Sequence, residues 1–430
     1  MNTKTARRIA LDSNIDVGRA NGRPPLDRRL RVALVGILVA RIAVNGGLRV
    51  VYPFLAVIAA GVGVSFHTIA LLVAARSLAG LAAPLLARWT LPSRWNAMML
   101  TALVLVAAGA VAILLAAEMA PTTRIVLLGA GFAATGVARP LFELPMQAWL
   151  TMRVPHTQRG RVIGLAELGW ALSLAVTVPV AGLLIGIGGW RYAFVVVFAC
   201  CAAGFVALRE LCAPAVAQTV ATAVPADVAA PDEDRQGRAA SSGDRSSTSA
   251  VGICVATALT VMAGEMVLVT HGSWMSRTFG LSTEKIGAIT VVIVVAELAG
   301  SGLVATFADR LDLRRTLLGA LLASTIAAVL LGRADDVTTA VILLGIWFVA
   351  FEAAVVSLVA LATTAGTGCR AEPRVFGWMM AAMAGGNAAG ATIAPLLFVD
   401  DDIHTTGLVA TALGLSAAAV VVLERRWRVR

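Results

Sequence analysis

Long apolar stretches of roughly 20 residues, separated by short polar segments, recur along the whole chain. About 20 apolar residues in a helix cross the roughly 30 Å hydrocarbon layer of a bilayer. Breaking the apolar runs at charges, Pro and Gly predicts six spans near 32–60, 66–87, 95–117, 123–150, 161–185 and 190–211. Six more follow near 251–276, 284–307, 315–333, 337–362, 374–398 and 405–423. The segment 213–250 between the two sets is rich in Ala, Pro, Ser, Asp and Arg and includes Pro231-Asp232-Glu233-Asp234-Arg235. It carries too little apolar surface to fold alone, so it reads as a disordered cytoplasmic linker. Residues 1–31 form a basic tail without the short apolar core of a signal peptide, and 425–430 a second basic tail.

Composition agrees with lipid as the solvent. Apolar residues make up 59% of the chain, charged residues 14%, and the mean hydropathy is +0.85. A soluble domain needs about a quarter of its residues charged to cover its surface. The net charge of +10 is concentrated in alternate loops rather than on one face, which argues against a nucleic-acid partner. With the N-terminus inside, Lys and Arg number 26 in the tails and cytoplasmic loops against 5 outside. The positive-inside rule then places both termini in the cytoplasm, as for a multi-pass protein of the plasma (inner) membrane. The five cysteines show no metal-ligand spacing or paired framework, and no cofactor or metal is expected.

The two halves share fragments in the same order. Arg76-Ser77-Leu78-Ala79-Gly80 in the second span matches Ala296-Glu297-Leu298-Ala299-Gly300 in the eighth, and Gly63-Val64-Ser65 matches Gly280-Leu281-Ser282. Arg161-Val162-Ile163-Gly164 likewise matches Arg374-Val375-Phe376-Gly377. Two six-helix repeats around a central site is a common transporter plan.

The loop after the eighth span, Asp309-Arg310-Leu311-Asp312-Leu313-Arg314-Arg315, resembles the Gly-x-x-x-Asp-Arg-x-Gly-Arg-Arg loop of the major facilitator superfamily. Ala305 and Asp312 stand where Gly is usual, and only Arg88 and Arg94 survive of the first-half copy. The resemblance covers about 32–424. It implies an all-α integral membrane fold of two six-helix bundles related by pseudo-two-fold symmetry, and a monomer. Asp309, Arg310, Arg314 and Arg315 then read as a gating loop, with topology determinants as the plain alternative for Arg314 and Arg315. The Gly-Pro-rich fifth-span signature of drug–proton antiporters is replaced by Val178-Pro179-Val180-Ala181-Gly182.

Ionisable side chains at bilayer depth are expensive and mark candidate function. The first half carries Arg41, Arg49, Arg76 and Arg139 with Glu143 and Glu167. The second half carries only Glu265, Glu297 and Glu352. Glu143 lies four residues after Arg139, on one helix face, either as a structural pair or as part of a site. Pro140 and Pro145 bracket it and predict a bend. By the resemblance, the first, fourth, seventh and tenth spans line a cavity, making Arg41, Asn45, Arg49, Arg139, Glu143, Glu265 and Glu352 the candidate cavity residues. A carboxylate at depth is most simply neutralised by a proton, so Glu265 and Glu352 are the candidate proton carriers. Opposite Arg41 or Arg49, either would instead form a pair between the halves. Arg76 and Glu297 support the bundle interface or touch solute. Gly-Gly and Pro flank Arg49, whose planar fork suits a carboxylate. Gly182-x-x-x-Gly186 and Gly386-x-x-x-Gly390 read as close helix packing. Trp149, Trp170, Trp190, Trp274 and Trp378 read as interfacial anchors.

These features give a secondary active transporter of a small solute, proton-coupled and directed to efflux. Uptake of an anionic or zwitterionic metabolite by proton symport is the alternative, and a ligand receptor on a transporter scaffold is the alternative of another class. His67, His156, His271 and His404 are scattered without a catalytic motif, and no Gly-x-x-x-x-Gly-Lys-Ser/Thr loop occurs, so an enzyme is not expected.

Overall fold

The computed structural model describes residues 28–87, 89–153, 159–211, 250–307, 313–364, 373–398 and 403–428. Helices stand at all twelve predicted positions. Among the described residues, ten helices are long and apolar enough to cross a membrane. The second span is the shorter Phe66–Ala82, continued by Ala83–Ala87, and Pro373–Leu397 is the eleventh. The predicted linker and the residues Asp309 and Arg310 lie outside the described residues.

Short turns gather on one face of the protein, which we call the hairpin face; Arg28, Leu211, Ala250 and Arg428 end their helices at the other, the linker face. Gly63 (φ 76°) and Gly280 (φ 63°) both end their helices in the left-handed region, as do few residues other than glycine. They occupy matching places in the two halves. Next to Gly63, the Ser65 hydroxyl accepts from the Thr68 amide at 3.0 Å and caps the second span. Asp336 does the same for the tenth span, accepting from the amides of Thr338 (2.9 Å) and Thr339 (3.0 Å). Also on this face, an exposed ion pair joins Arg191 to Glu118 within the first half.

The halves meet along three seams. The second span packs on the eleventh, the fifth on the eighth, and residues 52–62 of the first on the seventh. Glycine makes these seams tight. A methyl group on Gly182 would fall 2.7 Å from the carbonyl oxygen of Thr283 and 3.2 Å from the Cα of Gly287. One on Gly272 would fall 2.1 Å from the carbonyl oxygen of Pro53. Gly386 and Gly390 lie as closely against the backbone of Ala258 and Met262 within the second half. At the hairpin face, the rings of Phe66 and Phe398 meet across the seam with centroids 6.2 Å apart.

The main apolar core runs through the first half and across these seams to Ile286, Leu331, Leu344 and Phe398. A separate core, including Ile253, Leu317, Leu358 and Val421, fills the linker-face end of the second half. One continuous core at the hairpin face and two cores at the other describe bundles joined at that end.

One expectation is corrected. Trp149 and Trp274 are buried rather than interfacial, and Trp274 packs edge-on against Phe279 at 5.3 Å. The fourth span is helical from Pro121 to Arg153 with both prolines inside it. Neighbouring helices in a bundle can hold such a segment helical despite the missing donors.

Candidate functional site

The site begins where the first span breaks. Its helix runs Arg28–Arg49, is replaced by a 3-10 turn at Tyr52–Phe54, and resumes at Leu55–Val62. Pro53 has no N–H to give to the carbonyl four residues earlier, which ends the α ladder here. A freed carbonyl at bilayer depth needs another donor. At this break Arg76 of the second span reaches the neighbouring carbonyl of Leu48, its Nη1 donating to it at 2.7 Å.

The other arm of Arg76 extends the link. Nη2 donates to the Tyr52 hydroxyl at 2.7 Å, and that hydroxyl donates to Oε1 of Glu265 at 2.7 Å. Arg76, Tyr52 and Glu265 are all buried, and the last bond crosses from the first half to the second. The guanidinium of Arg76 also lies 5.0 Å from the Tyr52 ring centre.

A second tie crosses the halves one turn away. Arg49 pairs through Nη2 with Oε1 of Glu297, both side chains being buried. Its Nη1 donates to the Trp170 carbonyl at 2.9 Å, and its guanidinium lies 4.2 Å from the Trp170 ring centre. Arg139 approaches the same ring at 4.7 Å. Trp170 is therefore a platform for two cations, not an interfacial anchor. The stacking suits arginine, whose weakly hydrated planar group loses little on leaving water.

The third group lies wholly in the first half. Glu143 stands between Arg139 (3.6 Å) and Arg41 (3.7 Å), so one carboxylate faces two guanidinium groups. Asn45 lies one turn from both Arg41 and Arg49. It is 1% exposed, and neither atom of its amide has a hydrogen-bond partner. Glu352 is set apart from these ties and accepts from Ser301 at 3.1 Å, behind the close approach of Gly300 to the tenth span.

The structure thus brings Arg41, Arg139 and Glu143 together and joins Arg49 and Glu265 to partners across the halves. It corrects one pairing: the carboxylate opposite Arg49 is Glu297, not Glu265 or Glu352. Glu297 lies on the eighth span, which is not among the spans expected to line the cavity, so the contact was missed. Arg314 and Arg315 begin the ninth span, half-buried and exposed respectively. The side chain of Glu167 falls outside those described. Sequence reasoning passed over Tyr52 and Trp170 as site residues. Tyr52 had a signal, being one of two tyrosines in the chain and adjacent to Pro53 beside a buried arginine.

Chemically, the arrangement offers two buried ties between the halves, each ending on a carboxylate of the second half. Protonation of either carboxylate removes the charge that its arginine faces.

Residues 37–237 match the Major Facilitator Superfamily family model. No curated protein sequence matches the chain. Among solved structures, the fold is similar to that of a bacterial homologue of the human lysosomal transporter Spinster, inward-facing and unoccupied. The TM-score is 0.68 at 13% identity, over 94% of this chain and 98% of that one. A D-xylose–proton symporter gives a TM-score of 0.64 at 15% identity, over 91% and 95%.

Proposed function

From the match of residues 37–237 to the Major Facilitator Superfamily model, we propose that this chain is a proton-coupled secondary transporter of that superfamily that exports a small solute. It works by alternating access, from the plasma membrane, with both termini cytoplasmic and as a monomer. The observation that carries this reading is the pair of buried ties Arg49–Glu297 and Tyr52–Glu265, which join the two halves through carboxylates. Rocking of the bundles has to break both ties. A buried ion pair is costly to break while both partners stay charged, and far less so once the carboxylate is neutral. Proton arrival and separation of the halves at the hairpin face are therefore one event. The core that is continuous at the hairpin face and divided at the other fits a state open towards the linker. The Spinster homologue is described as inward-facing, and the symporter neighbour is proton-coupled.

A second reading, uptake of an anionic or zwitterionic metabolite by symport, draws on Arg41, Arg139 and the unpartnered amide of Asn45 in the first half. These groups suit a carboxylate and a neighbouring polar group of a solute. Asp309, Arg310, Arg314 and Arg315 act in both readings as the latch of the linker face.

The test is a thermal-shift screen of the purified protein against organic anions and lipophilic cations, followed by flux of each stabilising compound in proteoliposomes. Flux driven by an imposed pH gradient and lost in Glu265→Gln supports the proposal. The direction of the gradient that drives accumulation separates export from symport. Stabilisation without flux overturns it in favour of a receptor.

A further inference from the structure

The hydrogen bonds that link Leu48 to Glu265 start at Arg76, which donates to the Leu48 carbonyl on one side and to Tyr52 on the other, and Tyr52 in turn donates to Glu265. The guanidinium of Arg76 only donates, so the Tyr52 oxygen accepts from it and the Tyr52 proton is left to donate to Glu265. The same arginine holds the carbonyl of Leu48, the last full turn before the first span breaks. Gly272 of the seventh span lies directly against the carbonyl of Pro53 in that break. One residue, Tyr52, is therefore both the middle of a polar chain between the halves and part of the turn at which the first span changes course.

From this geometry we infer that Tyr52 is a positioning residue for coupling: its hydroxyl fastens the break in the first span to ionised Glu265, and protonation of Glu265 releases it. The inference rests on the proposed proton coupling and assigns to Tyr52 the step that turns a proton into movement.

The argument is one of charge. Arg76, Arg49 and Arg139, on the second, first and fourth spans, are the cations whose field reaches Glu265. Arg49 faces Glu297 and Arg139 faces Glu143, so the anion that Arg76 reaches, through Tyr52, is Glu265. The eleventh span lays Gly390 against the stem of Glu265. A proton added to the Glu265 carboxylate leaves the Tyr52 bond neutral at its accepting end. Arg76 is then a buried cation whose counter-charge is gone, which is a costly state. Opening the seam between residues 52–62 and the seventh span lets water reach Arg76 and relieves it. Tyr52→Phe removes the hydroxyl while keeping the ring, and so breaks the chain without removing any charge.

The test reads conformation and needs no solute. Spin labels at Thr122 and Thr338, exposed at the hairpin-face ends of the fourth and tenth spans, report separation of the halves in a cysteine-replaced background. Distances are measured in lipid nanodiscs across a pH series. The wild type is expected to pass from a short to a long distance as pH falls. Glu265→Gln and Tyr52→Phe are both expected to lose that step, with the long-distance fraction raised about tenfold at alkaline pH, the ratio that losing one hydrogen bond to a charged group produces. A normal step in Tyr52→Phe beside a lost step in Glu265→Gln overturns the role of Tyr52 and leaves the proton site standing. A normal step in Glu265→Gln overturns the proton site itself. A wild type that shows no step overturns both.

Discussion

Glu297 of the eighth span accepts a hydrogen bond from the Arg49 guanidinium of the first span, and the two side chains are only 5% and 4% exposed. The contact joins residues 248 positions apart in sequence and belongs to no single bundle. Removing one partner strands the other. Arg49→Ala is expected to destabilise the protein by about 3–5 kcal/mol, and the double variant Arg49→Ala/Glu297→Ala by clearly less. Thermal unfolding in detergent, read as a double-mutant cycle, checks both.

Trp170 holds two cations by its ring and one by its carbonyl. Trp170→Phe keeps a ring in place, whereas Trp170→Ala removes both stacking contacts. The Ala variant should lose about 1–2 kcal/mol more than the Phe variant beyond any change in packing. The same unfolding assay, with Arg139→Ala as a second background, separates stacking from volume.

Gly182 and Gly287 meet where the fifth and eighth spans touch. Gly287→Leu puts a side chain where the Val178 carbonyl oxygen already lies 3.2 Å from a Cβ. The halves then part at the hairpin face. A Phe398→Cys reporter, set in the buried contact with Phe66, should react with an impermeant maleimide about tenfold faster or more in this background, given overpacking of about 1–3 kcal/mol. An unchanged rate would show that the seam yields locally without separating the bundles.

Asp336 caps the tenth span with both carboxylate oxygens, Oδ2 accepting from the Thr339 hydroxyl at 2.5 Å. Those bonds from Thr339, together with the amides of Thr339 and Thr338, hold its pKa below the ordinary aspartate value. A lowered folded pKa gives stability that is present above the unfolded value and lost as pH falls through the folded one. Hydrogen exchange at Thr338 and Thr339 should accordingly be slow near neutral pH relative to Asp336→Ala, with the protection fading at strongly acidic pH.

The number and places of the spans were legible because bilayer thickness imposes a length on every apolar run, and no tertiary contact is needed to read it. The pairs Gly63/Gly280 and Gly80/Gly300 showed the repeat because turn geometry and helix contact constrain those positions locally. The site was legible in part. Charge at depth marked Arg41, Arg49, Glu143 and Glu265, and four-residue spacing gave the Arg139–Glu143 pair. Nothing local joined Arg49 to Glu297, or Tyr52 to Glu265, since each contact depends on how two separately folded bundles face one another. Trp170 was misread for a related reason. A tryptophan near a span end has the same sequence signature whether its ring meets headgroups or a guanidinium from the neighbouring helix.

The two classes of ion pair in this protein answer differently to dissolved salt. Arg191–Glu118, with side chains 55% and 64% exposed, lies within reach of mobile counterions, which screen charges beyond a Debye length of about 8 Å at physiological ionic strength. Arg49–Glu297 and the chain through Tyr52 lie where counterions do not penetrate. The force that holds the halves together is thus set by the protein interior, and it stays nearly constant whether the surrounding medium is dilute or brackish.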